Sequence, residues 1–514
     1  MRSATPQQLS PELLVTQWMQ IASSGLHLHR AVLNTLAAWN RYAGDFVLPY
    51  LIAVSYFYQV EHSRWFKLPL VDTARSYTDL LGFTLELASR AMAGSIAAVE
   101  THSARELDRF LEAWLQWMKQ GDASQMEAVC MRQAHLTGML AFGYPEAIER
   151  IAPEFGFHFD SGIYPRIAET DRFNLYQILP TDSKIQARDN AKPILIIPPY
   201  VLGANILGFL PGENRSYAHC YANQGIPTYI RTLKDIRTSE ALQVMTGEDD
   251  ARDTREFCQR IRERHGRPVT LNGYCQGGFS ALCNLLSGEL DGLVDAFITC
   301  VAPMDGTRSH GLSTFLNNLP QRFNDLAYGT KTLANGNTVA DGRLMGWVYK
   351  LKSIETEYPL AAFYRDLMMF AMQEDTANLQ VGKTAAALNY WLTYERSDLP
   401  MDITRMSFAS YNTPISADGD LPLKLFNRKL NLKRLREMGI PWLICYGEHD
   451  DLVEKETALA PLDWVEAEVT GFPKGHVAIA TSWSDPSSAC ALHTRFGEDG
   501  QRGPVRFQLD LSEK

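Results

Sequence analysis

The strongest chemical signal in the chain is Gly273-Tyr274-Cys275-Gln276-Gly277-Gly278, set between the apolar run PVTL (Pro268 to Leu271) and the helix-forming run FSALCNLLSG. A thiol with glycine two residues before it and two after it has the G-x-Nuc-x-G spacing of a nucleophile elbow. Such a nucleophile sits on a tight strand-to-helix turn, where backbones pass too closely for side chains at the flanking positions. The turn puts the thiol at a helix N-terminus, whose dipole favours thiolate. It also aims the backbone N–H of Gln276 at the place where an oxyanion would form. The competing reading is a buried cysteine at an ordinary strand–helix turn.

A thiol nucleophile of this kind needs a base, and the base needs an acid to orient it. Downstream of the apolar run PWLIC stands Glu448-His449-Asp450-Asp451, an acidic loop after a strand. Further on, Gly475-His476-Val477 places an imidazole in a loop after a second strand. His476 is the expected base and His449 its local competitor; Glu448, Asp450 and Asp451 are the candidate acids. A second oxyanion donor is expected from the loop after PILII, Pro198-Pro199-Tyr200-Val201, at the backbone N–H of Tyr200 or Val201. Its alternative reading is a turn stiffened by proline.

The elements that must hold these groups follow from periodicity. From Pro11 to about Ile151 the pattern is helical. In ARELDRFLEAWLQWMK, Leu107, Phe110, Leu111, Trp114 and Leu115 fall on one helix face, expected to pack on the core. After about residue 155, strand-like segments alternate with helical ones: 173–179, 193–197, 227–231, 268–271, 296–301, 441–445 and 465–469. A helix is expected over 248–264. Alternation of this sort implies a mostly parallel sheet covered by helices. With the elbow, and with nucleophile, acid and histidine in that chain order, it implies an α/β-hydrolase fold. The segment 304–436 is too long for a connection and is expected to be a lid inserted over the sheet. The expected organisation is a helical domain over 1–155 and an α/β catalytic domain over 156–514.

Composition narrows the function classes. Lys and Arg number 49 against 59 Asp and Glu, a net charge of −10, so a nucleic-acid partner is not expected. The eight cysteines contain no CxxC pair, and they read as small buried hydrophobes of a reducing compartment. MRSATPQQLSPELL lacks the basic segment and apolar core of a leader. The apolar stretch Phe46 to Val60 carries a proline and is shorter than the roughly 20 residues that span a bilayer; a buried helix or helix pair is expected there. The expectation is a cytoplasmic protein without a transmembrane segment.

Together these residues resemble the polyhydroxyalkanoate (bacterial polyester) synthases over roughly 165–480. The family box G-x-C-x-G-G stands as Gly273 to Gly278, its acidic loop matches Gly447 to Val453, and its G-H-[IV] segment matches Gly475-His476-Val477. Ile196-Ile197-Pro198-Pro199-Tyr200 resembles its proline turn, and Glu213-Asn214-Arg215-Ser216 with Gly225 its ENS and QG segments. Trp391 with Leu399-Pro400 is similar to its lid stretch, although YWLTYERSDLP departs from the family pattern there and no tryptophan-rich tail follows the histidine. The resemblance places the acid on Asp450. It implies an acyltransferase that polymerises (R)-3-hydroxyacyl-CoA through a Cys275-bound acyl group and releases CoA, without metal or organic cofactor. His476 would deprotonate Cys275. Asp450 would either serve the incoming hydroxyl or orient His476, and Trp391 would belong to an apolar cover excluding water. The partners implied are the CoA thioester and the polyester product, with a homodimer and attachment to polyester granules. Two other readings stay open. One is a depolymerase or thioesterase that uses water as acceptor; the other is a non-catalytic granule protein.

Overall fold

The computed structural model describes residues 11–64, 67, 69–375, 378–496 and 501–511. The first ten residues, part of the stretch read above for a leader, lie outside them. The chain divides into two compact units, one of Met1–Val54, Tyr77–Arg150 and Trp347–Ala386, the other of Ser55–Ser76, Ile151–Gly346 and Ala387–Lys514.

The first unit is helical. α1 (Pro11–Arg64) and α2 (Leu70–Gln120) are 54 and 51 residues long, and only the last turns of α1 and the first of α2 fall to the other unit. α3 (Ser124–Gly138) runs through a π-helical turn, Met139–Gly143, into a short helix ending at Arg150. Small residues make up much of the inward faces, Ala31 and Ala38 on α1, Ala91, Ser95 and Ala113 on α2 and Ala134 on α3, beside the larger Tyr42, Leu87 and Leu136. Polar ties fix the register. The Tyr42 hydroxyl donates to Asp366 Oδ2 at 2.6 Å, and Asn34 Nδ2 to the carbonyl of Ala134 at 3.1 Å. Two expectations are corrected here. Leu107, Phe110, Leu111, Trp114 and Leu115 do not face the core; all are exposed. Nor is Phe46 to Val60 a buried segment, since Val47, Leu48, Tyr50, Leu51, Val54 and Tyr58 are exposed on a helix that continues through Pro49. Small side chains let helices approach closely, so alanine and serine took much of the packed faces while these bulky residues turned outward. Among the described residues no helix is long and apolar enough to cross a membrane.

The second unit is built on an eight-stranded sheet of β1 (Arg166–Glu169), β2 (Phe173–Ile178), β3 (Ile194–Ile197), β4 (Thr228–Leu233), β5 (Val269–Tyr274), β6 (Val294–Cys300), β7 (Trp442–Gly447) and β8 (Glu468–Phe472), in the order β1-β2-β4-β3-β5-β6-β7-β8. β1 and β2 are antiparallel to their neighbours and the other pairs are parallel. β3, β5 and β7 are buried along their whole length, which is why β3 and β7 read as near-continuous apolar runs rather than alternating ones. This order and orientation are those of the α/β-hydrolase fold, as expected. α4 (Gly247–His265) opens on a Thr246–Asp249 capping box and closes on left-handed Gly266. α5 (Gln276–Ser287) follows β5 directly. The last strand lies three residues beyond the expected 465–469, because the Val465 N–H is already committed to the carbonyl of Pro461. The stretch 304–436 connects β6 to β7; its residues 347–386 group with the helical unit and the remainder with the sheet.

A charged cluster is sealed inside the sheet unit. Arg231 on β4 pairs with Asp250 on α4 at 2.7 Å, with side chains 1% and 0% exposed. Arg231 also donates to the Tyr200 hydroxyl and to Thr254 Oγ1, at 2.7 and 2.6 Å. Tyr200 donates to Asp250 at 2.7 Å, Asn284 Nδ2 does so at 2.8 Å, and Ser280 donates as well. Burial alone would raise the Asp250 carboxyl, but Arg231 and these hydrogen bonds hold it below its usual range. Every charge therefore has a partner, which is the condition for tolerating an ion pair in a low-dielectric interior. Asp250→Ala strands the Arg231 cation and should cost about 3–5 kcal/mol, read as a lowered midpoint in chemical denaturation. The double change Arg231→Met/Asp250→Leu should recover most of that loss.

Candidate active site

Cys275 occupies the single residue between β5 and α5, at φ 51° and ψ −126°. That conformation is rare for a residue with a side chain and costs on the order of 1–3 kcal/mol, so the surroundings must impose it. They do so by contact. A Cβ on Gly273 would stand 2.3 Å from the Cα of Gly278, and one on Gly277 would stand 2.2 Å from the carbonyl oxygen of Ile197. The Cys275 N–H donates to the carbonyl of Cys300 at 2.9 Å, and its own carbonyl accepts from Gly278. A second strained residue lies beside the elbow. Val301, just past β6, holds φ 46°, which is costly for a β-branched side chain. Nothing in the sequence marked it.

The loops after β7 and β8 are stitched together by backbone bonds, Glu448 to Phe472 and His449 to Lys474, at 2.7 and 3.2 Å. They bring Asp450 to His476: Nδ1 and Oδ2 are 2.8 Å apart, and both residues are buried. The other carboxylate oxygen, Oδ1, accepts from the backbone N–H groups of Leu452 and Val453 at 2.9 and 2.8 Å. Glu448, His449 and Asp451 are exposed, so among the candidates it is Asp450 and His476 that the fold brings together. An ionised carboxylate can only accept, which places a hydrogen on Nδ1 and leaves Nε2 as the nitrogen able to exchange a proton. Nε2 is buried and forms no hydrogen bond of ordinary geometry, yet Cys275 is near enough to act on the ring. Burial is the largest single influence on His476 and opposes its charge. The Asp450 carboxylate, with a smaller contribution from Cys275, outweighs it and holds the imidazole well above its usual range. The carbonyl of His476 accepts from the Tyr274 hydroxyl at 3.0 Å, fixing the histidine loop to the residue before Cys275.

The loop after β3 is held on three sides. On one side the Tyr200 hydroxyl enters the Arg231–Asp250 cluster, so this side chain is an anchor for the loop. From the other side, Trp391 Nε1 donates to the carbonyl of Leu202 at 3.0 Å and Ser397 N–H to that of Val201 at 3.2 Å. Trp391 is itself buried, with the Arg396 guanidinium 5.3 Å above its ring. From α5, the side-chain carbonyl of Gln276 accepts the N–H of Val201 at 3.2 Å. One expected oxyanion donor is therefore engaged by a neighbouring side chain, while the backbone N–H of Gln276 is among the amino-terminal donors a helix leaves unpaired. The anchors Arg231, Asp250 and Ser280 escaped the sequence reading. An arginine inside the strand PTYIR was the available signal.

Seven of the eight cysteines are buried, Cys490 is half-buried, and none is in a disulfide. Among the described residues no group of three or more His, Cys, Asp or Glu is placed to hold a metal ion. Asp450 is the largest of the influences that raise the imidazole, so Asp450→Asn should lower the apparent His476 pKa. The imidazolium should then be lost at lower pH, which an NMR titration of the ring nitrogens reads directly. The sign carries to stability. With the folded value raised, the stabilisation from this pair is complete below the free-imidazole range and is lost as pH rises through the folded value.

No model of a known protein family matches the sequence, and no curated protein matches it either. Among solved structures, similar chains include a carboxylesterase of the thaumarchaeon Nitrososphaera gargenis, at 11% identity and TM-score 0.35 over 62% of this chain and 92% of that one. Another is an α/β-fold hydrolase of Bacillus anthracis, at 13% identity and TM-score 0.34 over 62% and 94%. Est1E of Butyrivibrio proteoclasticus matches at 9% identity and TM-score 0.29 over 61% and 90%. At such scores the assignment rests on this chain's own strand order, elbow and residue order, and by these the sheet unit has the α/β-hydrolase fold.

Proposed function

We propose that the chain is an acyltransferase of the polyhydroxyalkanoate synthase kind, taking 3-hydroxyacyl groups from CoA thioesters onto Cys275. The observation that carries this reading is a strained, glycine-flanked cysteine within reach of an imidazole that is itself bonded to a buried carboxylate. The Cys275 sulfur attacks the thioester carbonyl, a carbon–sulfur bond forms, and the CoA sulfur departs with a proton from His476. Exchange of one thiol for another is nearly isoenergetic, so cysteine loads and unloads acyl groups readily. The 3-hydroxyl of the next unit then attacks the acyl-cysteine, its proton passes to His476, and the carbon–sulfur bond breaks. Asp450 is best given the orienting role, because both its oxygens are already occupied, one by Nδ1 and the other by two backbone amides. The resemblance of the Cys box, the acidic loop and the histidine segment to the polyester synthases supports the acceptor being a hydroxyl.

The second reading is a hydrolase acting on thioesters or polyesters, and the Asp450–His476 geometry favours it equally, since hydrolases orient their histidine in the same way. The two differ only in the acceptor. Purified enzyme given (R)-3-hydroxybutyryl-CoA should release CoA and form ester-linked oligomer or polymer. Free 3-hydroxybutyrate as the sole product would replace the synthase reading with the hydrolase one. Cys275→Ala should abolish CoA release, and His476→Gln should slow acylation of Cys275 by about 10³-fold or more, followed by mass spectrometry of the intact protein.

A further inference from the structure

One side chain at the elbow has no role in the chemistry described so far. Every residue of α5 from Gly277 to Ser287 is buried, and Gln276, which opens the helix, is half-buried. Its amide is held by long bonds at both ends. Oε1 accepts the N–H of Val201 at 3.2 Å, and Nε2 reaches Ser407 Oγ, on the helix Met401–Asn412, at 3.5 Å. The first contact has a chemical meaning. A backbone N–H carries one hydrogen and serves one strong acceptor at a time. The loop after β3 has to supply a donor if an oxyanion at Cys275 is to bond more than the N–H of Gln276 itself. The atom now on that donor is a carbonyl oxygen, the kind of atom a thioester presents.

We propose that the Gln276 side chain is an internal occupant of the oxyanion site: Oε1 stands where the substrate's carbonyl oxygen goes, the Val201 N–H is the second oxyanion donor, and acylation requires the amide to swing off it. Three observations separate this from a brace that merely holds the loop. The loop is already fixed without Gln276, by Tyr200 on Asp250 at 2.7 Å, by Trp391 on the carbonyl of Leu202 at 3.0 Å and by Ser397 on that of Val201 at 3.2 Å. The amide sits at the half-buried end of α5, where it has solvent to turn into. The Val201 residue is 3% exposed, and a buried N–H left without an acceptor is costly, so an empty site needs an occupant that can leave. The exchange is favoured where it matters. The bond given up joins neutral groups, whereas the bond gained goes to an oxygen that acquires charge, and charge-assisted bonds are roughly twice as strong. Displacement therefore becomes most favourable in the transition state, the kind of differential binding that accelerates a reaction.

The inference rests on the acylation of Cys275 proposed above and adds no covalent step to it. Single-turnover acylation by (R)-3-hydroxybutyryl-CoA, followed by mass spectrometry of the intact protein, tests it in full-length wild type, Gln276→Met and Gln276→Glu, all of which keep the backbone N–H of residue 276. Methionine has similar volume but only a weak acceptor, so Gln276→Met should acylate about 2–10-fold faster, the worth of one neutral hydrogen bond. Gln276→Glu should acylate about 10-fold or more slower, because a carboxylate grips the N–H harder and repels the charge forming beside it. Iodoacetamide reacts at a saturated carbon and forms no oxyanion, so Gln276→Met should alkylate at Cys275 as fast as wild type. A Gln276→Met chain that acylates more slowly at an unchanged unfolding midpoint overturns the inference and makes Gln276 a brace. A Gln276→Glu chain at the wild-type rate also overturns it, as does a Gln276→Met chain that speeds acylation and alkylation alike, which is an effect on access. If methionine lowers the midpoint, Gln276→Ala carries the same test with the same expected sign. A wild-type chain with no acyl group on Cys275 fails the acyl-transfer reading and this inference with it, whereas acylation in the wrong order among the variants fails this inference alone.

Discussion

The crossing of three backbone segments at residues 273–278 is the constraint on which the site depends. β5 must end, α5 must begin, and the end of β3 must pass beneath, all within van der Waals contact, so the turn has no room for a Cβ at Gly273 or Gly277. The one residue at the apex then has to take the strained conformation, and that residue is Cys275. Strain of this kind persists only where the surroundings over-determine it. Here a bond from Cys275 N–H to β6 and a carbonyl shared with Gly278 do so, and the thiol is left at the head of a helix with unpaired amides.

The rest of the sheet unit serves to hold partners against that point. The histidine and its acid come from two loops that are 26 residues apart in sequence and meet because β7 and β8 are adjacent parallel strands. Tyr274 ties the histidine loop back to the elbow. The loop after β3 is fixed more expensively, by a tyrosine rooted in a buried ion pair. The charges of Arg231 and Asp250 are tolerable only because each hydrogen bond around them is made, so Tyr200 is held more rigidly than apolar packing alone would hold it. Chemistry that relies on backbone donors needs that rigidity, since amides stabilise a developing oxyanion only when preorganised.

The helical unit follows a different logic. Alanine and serine take much of its close-packed faces beside a few larger side chains such as Leu87 and Leu136, and many of its long apolar side chains are exposed. A unit arranged in this way shows solvent much of the apolar surface that its helices carry, and a large exposed apolar surface marks an interaction face.

How much of this was legible in the sequence depends on the range of the forces involved. The elbow, the strands and the nucleophile–acid–histidine order were readable, because glycine spacing, apolar runs and turns are set by neighbours a few residues away. The choice of Asp450 over Glu448 and Asp451 was not readable from spacing, as a one-residue step along a loop reverses which carboxyl is buried; family resemblance suggested it, and the meeting of two loops placed it beside His476. The Arg231–Asp250 cluster and the strain at Val301 could not be read, since both arise from contacts between distant segments. The stripe of α2 shows the same limit from the other side. Periodicity identifies an apolar face but not which face is packed, and the tertiary structure gave that place to alanine because only small side chains let the helices come close enough.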